Sequence, residues 1–333
     1  TGSIDSLAPG PDGRWWSSTQ WWKADGSWGG WTLDPQRHPD DPRAHGIGWG
    51  AQVVTVDGRM LMLLHHGFGN TVMLRVGGDD IAVACAAWIT RVDSTSPVAL
   101  NDVWGAAPAG SSWSWQDGNG DGVLSAGECR ADPEYGYAGA CWLDQRGGLW
   151  RLLRQADGLR YYALEGFRAN GVPRYAPARR LSGPSVMPVA ARIAYDAQAD
   201  ALYLTGYTAE RPVIRDDSRR AGSELMRVDG VLAGRPVLRW RTPLPYRESV
   251  QAAASSLSVA GPLVIVGRQR IADALLVSAD DGRPLGDLPR PDQEPAQGNL
   301  GFGRPQAIVD DHGQCRISAP DRGGFVVWRW QLR

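Results

Sequence analysis

An all-β fold, a β-propeller of five or six four-stranded blades forming a single domain over residues 1–333, is what this sequence predicts. Three observations predict it. Helical periodicity is nearly absent, and short runs of Val, Ile, Leu, Trp and Tyr alternate with Asp-Gly and Gly-Gly turns. Among 333 residues, 42 glycines and 23 prolines break the chain too often for long helices. The strand runs also recur in units of roughly 40–50 residues, the spacing at which radially arranged sheets bury their faces on their neighbours.

The chain opens with a tryptophan-rich stretch, GRWWSS, QWWKAD and WGGWTL, within residues 1–33. The clearest unit runs from Trp49 to Trp88: AQVVTV, the turn Asp57-Gly58, RMLMLL, TVMLRV, a turn at Gly77-Gly78, and IAVACAAW. Four strands and three connections, two of them tight turns and one the longer HHGFGN, fit one antiparallel meander. A second unit reads CWLDQRG, GLWRLL and LRYYALEGF; a third reads ARIAYDAQADALYLTGY, SELMRVDG and PVLRWRT. A fourth reads SSLSVAGPLVIVG and ADALLVSADDGRPLGDL, and the last reads RPQAIVDDHGQCRIS and FVVWRWQLR. That last unit is one strand short, so residues 1–33 are expected to supply the missing strand and close the ring by pairing the two termini.

Asp229-Gly230 leading into VLRWRT, together with LLVSADDGRPLG, resembles the blades of quinoprotein-type and YncE-like propellers. The stretch ALEGFRANGVPRY is similar to segments of bacterial NHL-type propellers, where a like phrase follows a calcium-loop insertion. The resemblance covers the chain from about Trp49 onward. It implies a bacterial propeller and no particular chemistry, because these blade motifs are shared by unrelated functions.

One motif is specific. Residues 117–128, DGNGDGVLSAGE, match the twelve-residue EF-hand calcium loop at every diagnostic position. Asp117, Asn119 and Asp121 offer side-chain oxygens, Val123 its carbonyl, Ser125 a direct or water-mediated contact, and Glu128 a bidentate carboxylate; Gly122 permits the sharp turn. An all-oxygen set of this kind suits Ca²⁺ better than the smaller, strictly octahedral Mg²⁺. The flanking SSWSWQ and CRADPEYGYAGAC are not amphipathic helices, so the loop is expected to be a structural clip inserted between strands. Ser125 and Glu128 also spell a capping box that starts a short helical turn.

Cys85, Cys129, Cys141 and Cys315 contain no CxxC spacing. Two readings stand open: a local Cys129–Cys141 disulfide with a long-range Cys85–Cys315 bridge, or four buried free thiols. Sixteen tryptophans are the compositional oddity. Trp88, Trp142, Trp150, Trp240, Trp328 and Trp330 sit in strand patterns and are expected in the core. In the doublets Trp15-Trp16 and Trp21-Trp22, neighbouring strand residues face opposite ways, which makes one of each pair a candidate exposed platform for a sugar or apolar partner. The same alternation stops His65 and His66 from chelating one metal, although with His38 and His45 they are candidate pocket residues.

A net charge of −1, with Lys23 the only lysine, marks no nucleic-acid binder, and no apolar run reaches the ~18 residues that span a bilayer. The start lacks a signal-like stretch, consistent with a processed chain. The expected function is an extracellular or periplasmic, calcium-stabilised recognition module for carbohydrate or another extracellular macromolecule. The rival expectations are a propeller hydrolase, lyase or quinoprotein-like dehydrogenase with its site in the central funnel, and one domain of a larger surface protein.

Overall fold

The computed structural model describes residues 7–34, 36–39, 41, 43, 49–65, 70–89, 112–131, 138–153, 158–181, 187–212, 222–244, 254–268, 274–288, 306–309, 313–321 and 324–331. Blade 1 is β1 (Ala8–Pro9), β2 (Trp15–Trp16), β3 (Gln20–Trp22) and β4 (Trp28–Trp31), in that order outward from the axis. Blade 2 is a six-stranded sheet: β5 (Trp49–Val56), β6 (Arg59–His65), β7 (Thr71–Val76), β8 (Ala82–Ile89), β9 (Trp113–Gln116) and β10 (Cys129–Ala131). Blade 3 has β11 (Ala138–Leu143), β12 (Leu149–Leu153) and β13 (Leu159–Tyr162). A small hairpin of β14 (Leu164–Phe167) and β15 (Pro173–Tyr175) then precedes its outer strand β16 (Arg179–Leu181). Blade 4 is β17 (Val189–Asp196), β18 (Ala201–Tyr207), β19 (Glu224–Asp229) and β20 (Val237–Pro243). Blade 5 is β21 (Ala254–Ala260), β22 (Leu263–Arg268), β23 (Ala274–Ser278) and β24 (Pro284–Leu288). Blade 6 has three strands among the described residues, β25 (Gln306–Val309), β26 (Gln314–Asp321) and β27 (Gly324–Gln331).

The inner strands β1, β5, β11, β17, β21 and β25 each touch the inner strand on either side, and β25 returns to β1, so six blades close a ring. The sequence left five or six open; six is the number. Predicted turns are in place: Asp57 and Gly58 both take positive φ, 50° and 71°, as a two-residue hairpin turn matching the strand twist requires. No α-helix occurs among the described residues.

The core lies between blades, as the radial repeat demands. Trp16 of blade 1 packs with Met62, Leu64 and Trp113 of blade 2. Leu61, Cys85 and Trp88 of blade 2 pack with Cys141, Leu149, Tyr162 and Tyr175 of blade 3. Trp150, Tyr195, Leu204, Leu257 and Val266 join blades 3, 4 and 5. There Trp150 stacks between Tyr161 and Tyr195, with ring centroids 4.7 and 4.3 Å away. Ile265 and Leu276 of blade 5 meet Cys315 and Ile317 of blade 6. Of the tryptophans expected in the core, Trp88, Trp142 and Trp150 are buried, whereas Trp240 and Trp328 are half-buried against it; the surroundings of Trp330 fall outside the description.

Residues 7–33 build blade 1 themselves, and residues 1–6, the rest of the segment expected to supply a closing strand, lie outside the described residues. The ring closes there by side chains: Ser318 Oγ donates to Leu7 O at 2.7 Å, and Arg316 Nη1 to Gly13 O at 2.9 Å. Of the two cysteine readings the free-thiol one holds and the disulfide pairing is corrected: all four are free, three of them buried and Cys129 half-buried. Cys129 turns back at the rim of blade 2 to pair with Trp115, whereas Cys141 lies on the inner strand of blade 3. Cys85 and Cys315 belong to blades 2 and 6, with blade 1 between.

Candidate functional site

Residues 117–128 connect β9 to β10 at the rim of blade 2, an insertion between strands without flanking helices. The segment is tightly curled. Asp117 Oδ1 accepts from Gly120 N at 2.5 Å and Oδ2 from Gly122 N at 3.0 Å. Asn119 Oδ1 accepts from Asp121 N (2.9 Å), and Asp121 Oδ1 accepts from Val123 N (2.7 Å). Glu128 reaches back across the loop: Oε1 accepts from Gly118 N (2.6 Å) and Asn119 N (3.2 Å), while Oε2 accepts from Trp115 Nε1 (3.1 Å) and Ser125 Oγ (3.0 Å). Ala126–Glu128 form a single 3-10 turn, but the Ser125 side chain makes no capping bond; the capping box is replaced by the Ser125–Glu128 side-chain contact.

The blade holds this loop firmly. Asp117 N donates to Cys85 O, Arg75 Nη2 donates to Gly120 O at 2.8 Å, and Leu124 is buried in the core between blades 1 and 2. Gly122 has φ 75°, and a Cβ there would lie 2.3 Å from Val83 Cγ1, so glycine is required on both counts.

Burial pushes the Asp117 carboxyl above its ordinary range, and the charges of Glu128 and Asp121 push it further against the opposing hydrogen bonds of Gly120 and Gly122. Burial also raises Glu128, but the donors Trp115, Gly118, Ser125 and Asn119 outweigh it and hold Glu128 below its ordinary value. Three carboxylates thus crowd one turn, and their mutual repulsion is what a divalent cation relieves. The donor set is all oxygen, the ligand chemistry of a hard cation. In this geometry its oxygens face backbone N–H groups, and among the described residues no group of three or more His, Cys, Asp or Glu side chains is arranged to hold a metal. Each Asp117 oxygen accepts one N–H and keeps a lone pair for a cation, whereas the four acceptor sites of Glu128 are all taken, so bidentate ligation by Glu128 requires it to give up bonds to Gly118, Asn119, Trp115 or Ser125.

The tryptophan doublets are placed differently from expectation. Trp15 and Trp16 are both buried, and Trp21 and Trp22 are half-buried. The guanidinium of Arg14 sits 4.6 Å from the Trp16 ring and 4.7 Å from the Trp21 ring, while pairing with Asp12 and Asp80. The exposed pair is one strand further out: Trp28 and Trp31 are 54% and 55% exposed, edge to face with centroids 6.1 Å apart. Their signal in the sequence is WGGW. The Trp21 ring lies on Gly29 and Gly30, where added Cβ atoms would come within 2.1 and 3.0 Å of it.

His65 is buried at the end of β6 in blade 2, and His66 and His45 lie outside the described residues. Two described acids in turns next to the inner strands are engaged in hydrogen bonds. Asp144 accepts from Arg146 N, Gly148 N and Trp150 Nε1, and Asp200 accepts from Tyr195 Oη, Leu232 N and Ala233 N.

A scan of family models and a search of curated proteins each returned no match. Solved structures do match. The β-propeller domain of Myceliophteria thermophila Cps50 (Swd1) is 6% identical over 100% of this chain and 98% of its own, with a TM-score of 0.55. Virginiamycin B lyase from Staphylococcus aureus is 12% identical over 99% of this chain and 95% of its own, with a TM-score of 0.51. At such identities the likeness establishes the fold alone: the chain is a six-bladed β-propeller.

Proposed function

We propose that this chain is an extracellular or periplasmic recognition module, clipped by one Ca²⁺ at residues 117–128, that takes carbohydrate or another extracellular macromolecule on the outer strand of blade 1. The observation that carries the reading is the Trp28–Trp31 pair, two large indoles more than half exposed on a strand whose Gly29 and Gly30 lie against the Trp21 ring. Exposed aromatic pairs are the usual contact surface for sugar rings and apolar partners. The rival enzyme reading needs convergent acids or bases near the channel; of the described acids in turns beside the inner strands, Asp144 and Asp200 are engaged by backbone, indole and phenol donors.

For the ion, Asp117, Asn119, Asp121, the Val123 carbonyl, Ser125 and Glu128 would hold Ca²⁺ and join blade 2's outermost strands into one rigid hairpin. It has a structural use here; the protein needs no groove-opening step. Calorimetry and thermal melts test this: Ca²⁺ should bind with unit stoichiometry and raise Tm, and Glu128→Ala should remove the gain. Intact protein that takes up no Ca²⁺ would refute the clip. A glycan array probed with wild type and with Trp28→Ala/Trp31→Ala tests recognition. Any specific ligand should be lost in the double variant while its Tm is unchanged.

A further inference from the structure

Blades 1 and 6 face each other along the seam that closes the ring, and the facing residues follow from strand register. On blade 1, Trp15 pairs with Trp22 and Trp22 with Trp28, so these three share one face; Trp31, opposite Gln20, joins them. On blade 6, Arg316 pairs with Arg329 and Ser318 with Val327. That face looks toward blade 1: Ser318 reaches Leu7, Arg316 lies over the Trp15 ring at 5.7 Å, and Arg329 Nη2 donates to Ala24 O at 3.2 Å. The contacts run from axis to rim in step, strand against strand. Then they stop, because blade 1 continues to β4 whereas blade 6 ends, among the described residues, at β27.

Every other blade has at least four strands in its sheet. The place of a fourth strand in blade 6 is therefore opposite Trp28 and Trp31, and it is the reason both indoles are exposed. The same place is bounded by the outer edge of β27, where alternate N–H and C=O groups point away from β26. Eight residues long and free of proline, GFVVWRWQ carries little of the usual protection of an edge, and Val327 beside it is exposed as well.

We infer that this open seam takes an extended polypeptide strand from a partner protein, which pairs with the free edge of β27 and lays alternate apolar side chains on Trp28, Trp31 and Val327. The inference rests on the recognition reading above and names its ligand class. A sugar would stack on the indoles but leave the β27 backbone unused; a strand 4.7–4.9 Å from β27 uses both surfaces at once. The exposed Arg329 favours a carboxylate on that strand.

The test uses the full chain and a panel of capped octapeptides, each with Val, Ile, Leu or Phe at alternate positions, Thr between and Glu at both ends. Saturable binding with Kd below about 1 mM is expected from at least one member. N-methylation of the amides along one peptide edge should weaken that binding at least about tenfold, and methylation along the other edge should not. Trp28→Ser/Trp31→Ser should weaken it by a similar factor, as loss of central aromatic anchors does, with unchanged Tm. Hydrogen exchange should show amides of 324–331 exchanging fast in the free protein and slowing with peptide. Outward amides already protected in the free monomer, a concentration-dependent dimer abolished by the tryptophan variant, or no binding across the panel would each overturn the inference. Glycan capture through Trp28 and Trp31 without peptide binding overturns it and leaves the recognition reading standing. If neither glycan nor peptide binds, both fall.

Discussion

Arg43 joins three segments through one guanidinium. Its Nε and Nη2 clasp Asp41 at 2.8 and 2.6 Å, Nη1 donates to Ser18 O and Thr32 O, and Nη2 also reaches Ala82 O on blade 2. Both charged side chains are essentially withdrawn from solvent. A buried pair adds little over apolar packing, but removing one partner strands the other. Arg43→Ala should therefore cost about 3–5 kcal/mol by urea denaturation; a loss below about 1 kcal/mol would show the site collapses around water. Asp144 presents the opposite case. Burial raises its folded pKa despite the hydrogen bonds of Trp150, Gly148 and Arg146. A carboxyl raised on folding contributes stability that is present below its unfolded pKa and lost as pH rises through the folded value. Asp144→Asn should remove that falling limb from a plot of stability against pH, while the unpaired Trp150 N–H costs about 1–3 kcal/mol throughout. An unchanged pH profile in the variant would show that Asp144 keeps its ordinary acidity.

Strands explain what the sequence could and could not reveal. In blade 2, β5 to β8 and the Asp57-Gly58 turn are local: alternation and turn chemistry determine them within a few residues. The curl of 117–128 is equally local, being built from hydrogen bonds between its own near neighbours. The exposure of Trp15 or Trp16 was not legible, because alternation sorts inside from outside only when one face of a sheet meets water. A blade is buried on both faces, so adjacent residues of β2 are both covered, one by blade 2 and one by blade 6. Exposure there depends on radial position, which no window of sequence records. The same reasoning separates Cys129 from Cys141. Gly29 gives a test at this scale. An alanine Cβ would sit 2.1 Å from the Trp21 ring, so Gly29→Ala should cost about 1–3 kcal/mol and displace the indole. Near-ultraviolet dichroism should change together with Tm; an unaltered spectrum would mean that the ring does not lie on the glycines.

A ring of blades has one seam where the chain does not run on to the next sheet, and here that seam lies between blades 6 and 1. Other interfaces are laid down between sheets that follow one another in sequence; this one brings together residues about three hundred positions apart, so all its loop-closure entropy falls on the contacts made there. Those contacts are polar at heart. Arg316, almost wholly buried, donates to Gly13 O and covers Trp15, and the buried Ser318 hydroxyl donates to Leu7 O. Losing two buried hydrogen bonds and a desolvated cation–π contact should cost the Arg316→Ala/Ser318→Ala variant about 2–4 kcal/mol. Arg239→Ala is the matched control: its bridge to Asp229 is solvent-exposed and within blade 4, and its loss should cost at most about 0.5 kcal/mol. The seam variant should also unfold faster, with exchange protection lost first at β1, β2 and β26. Equal losses in the seam and control variants, or protection lost uniformly around the ring, would show that closure is carried elsewhere than by these side chains.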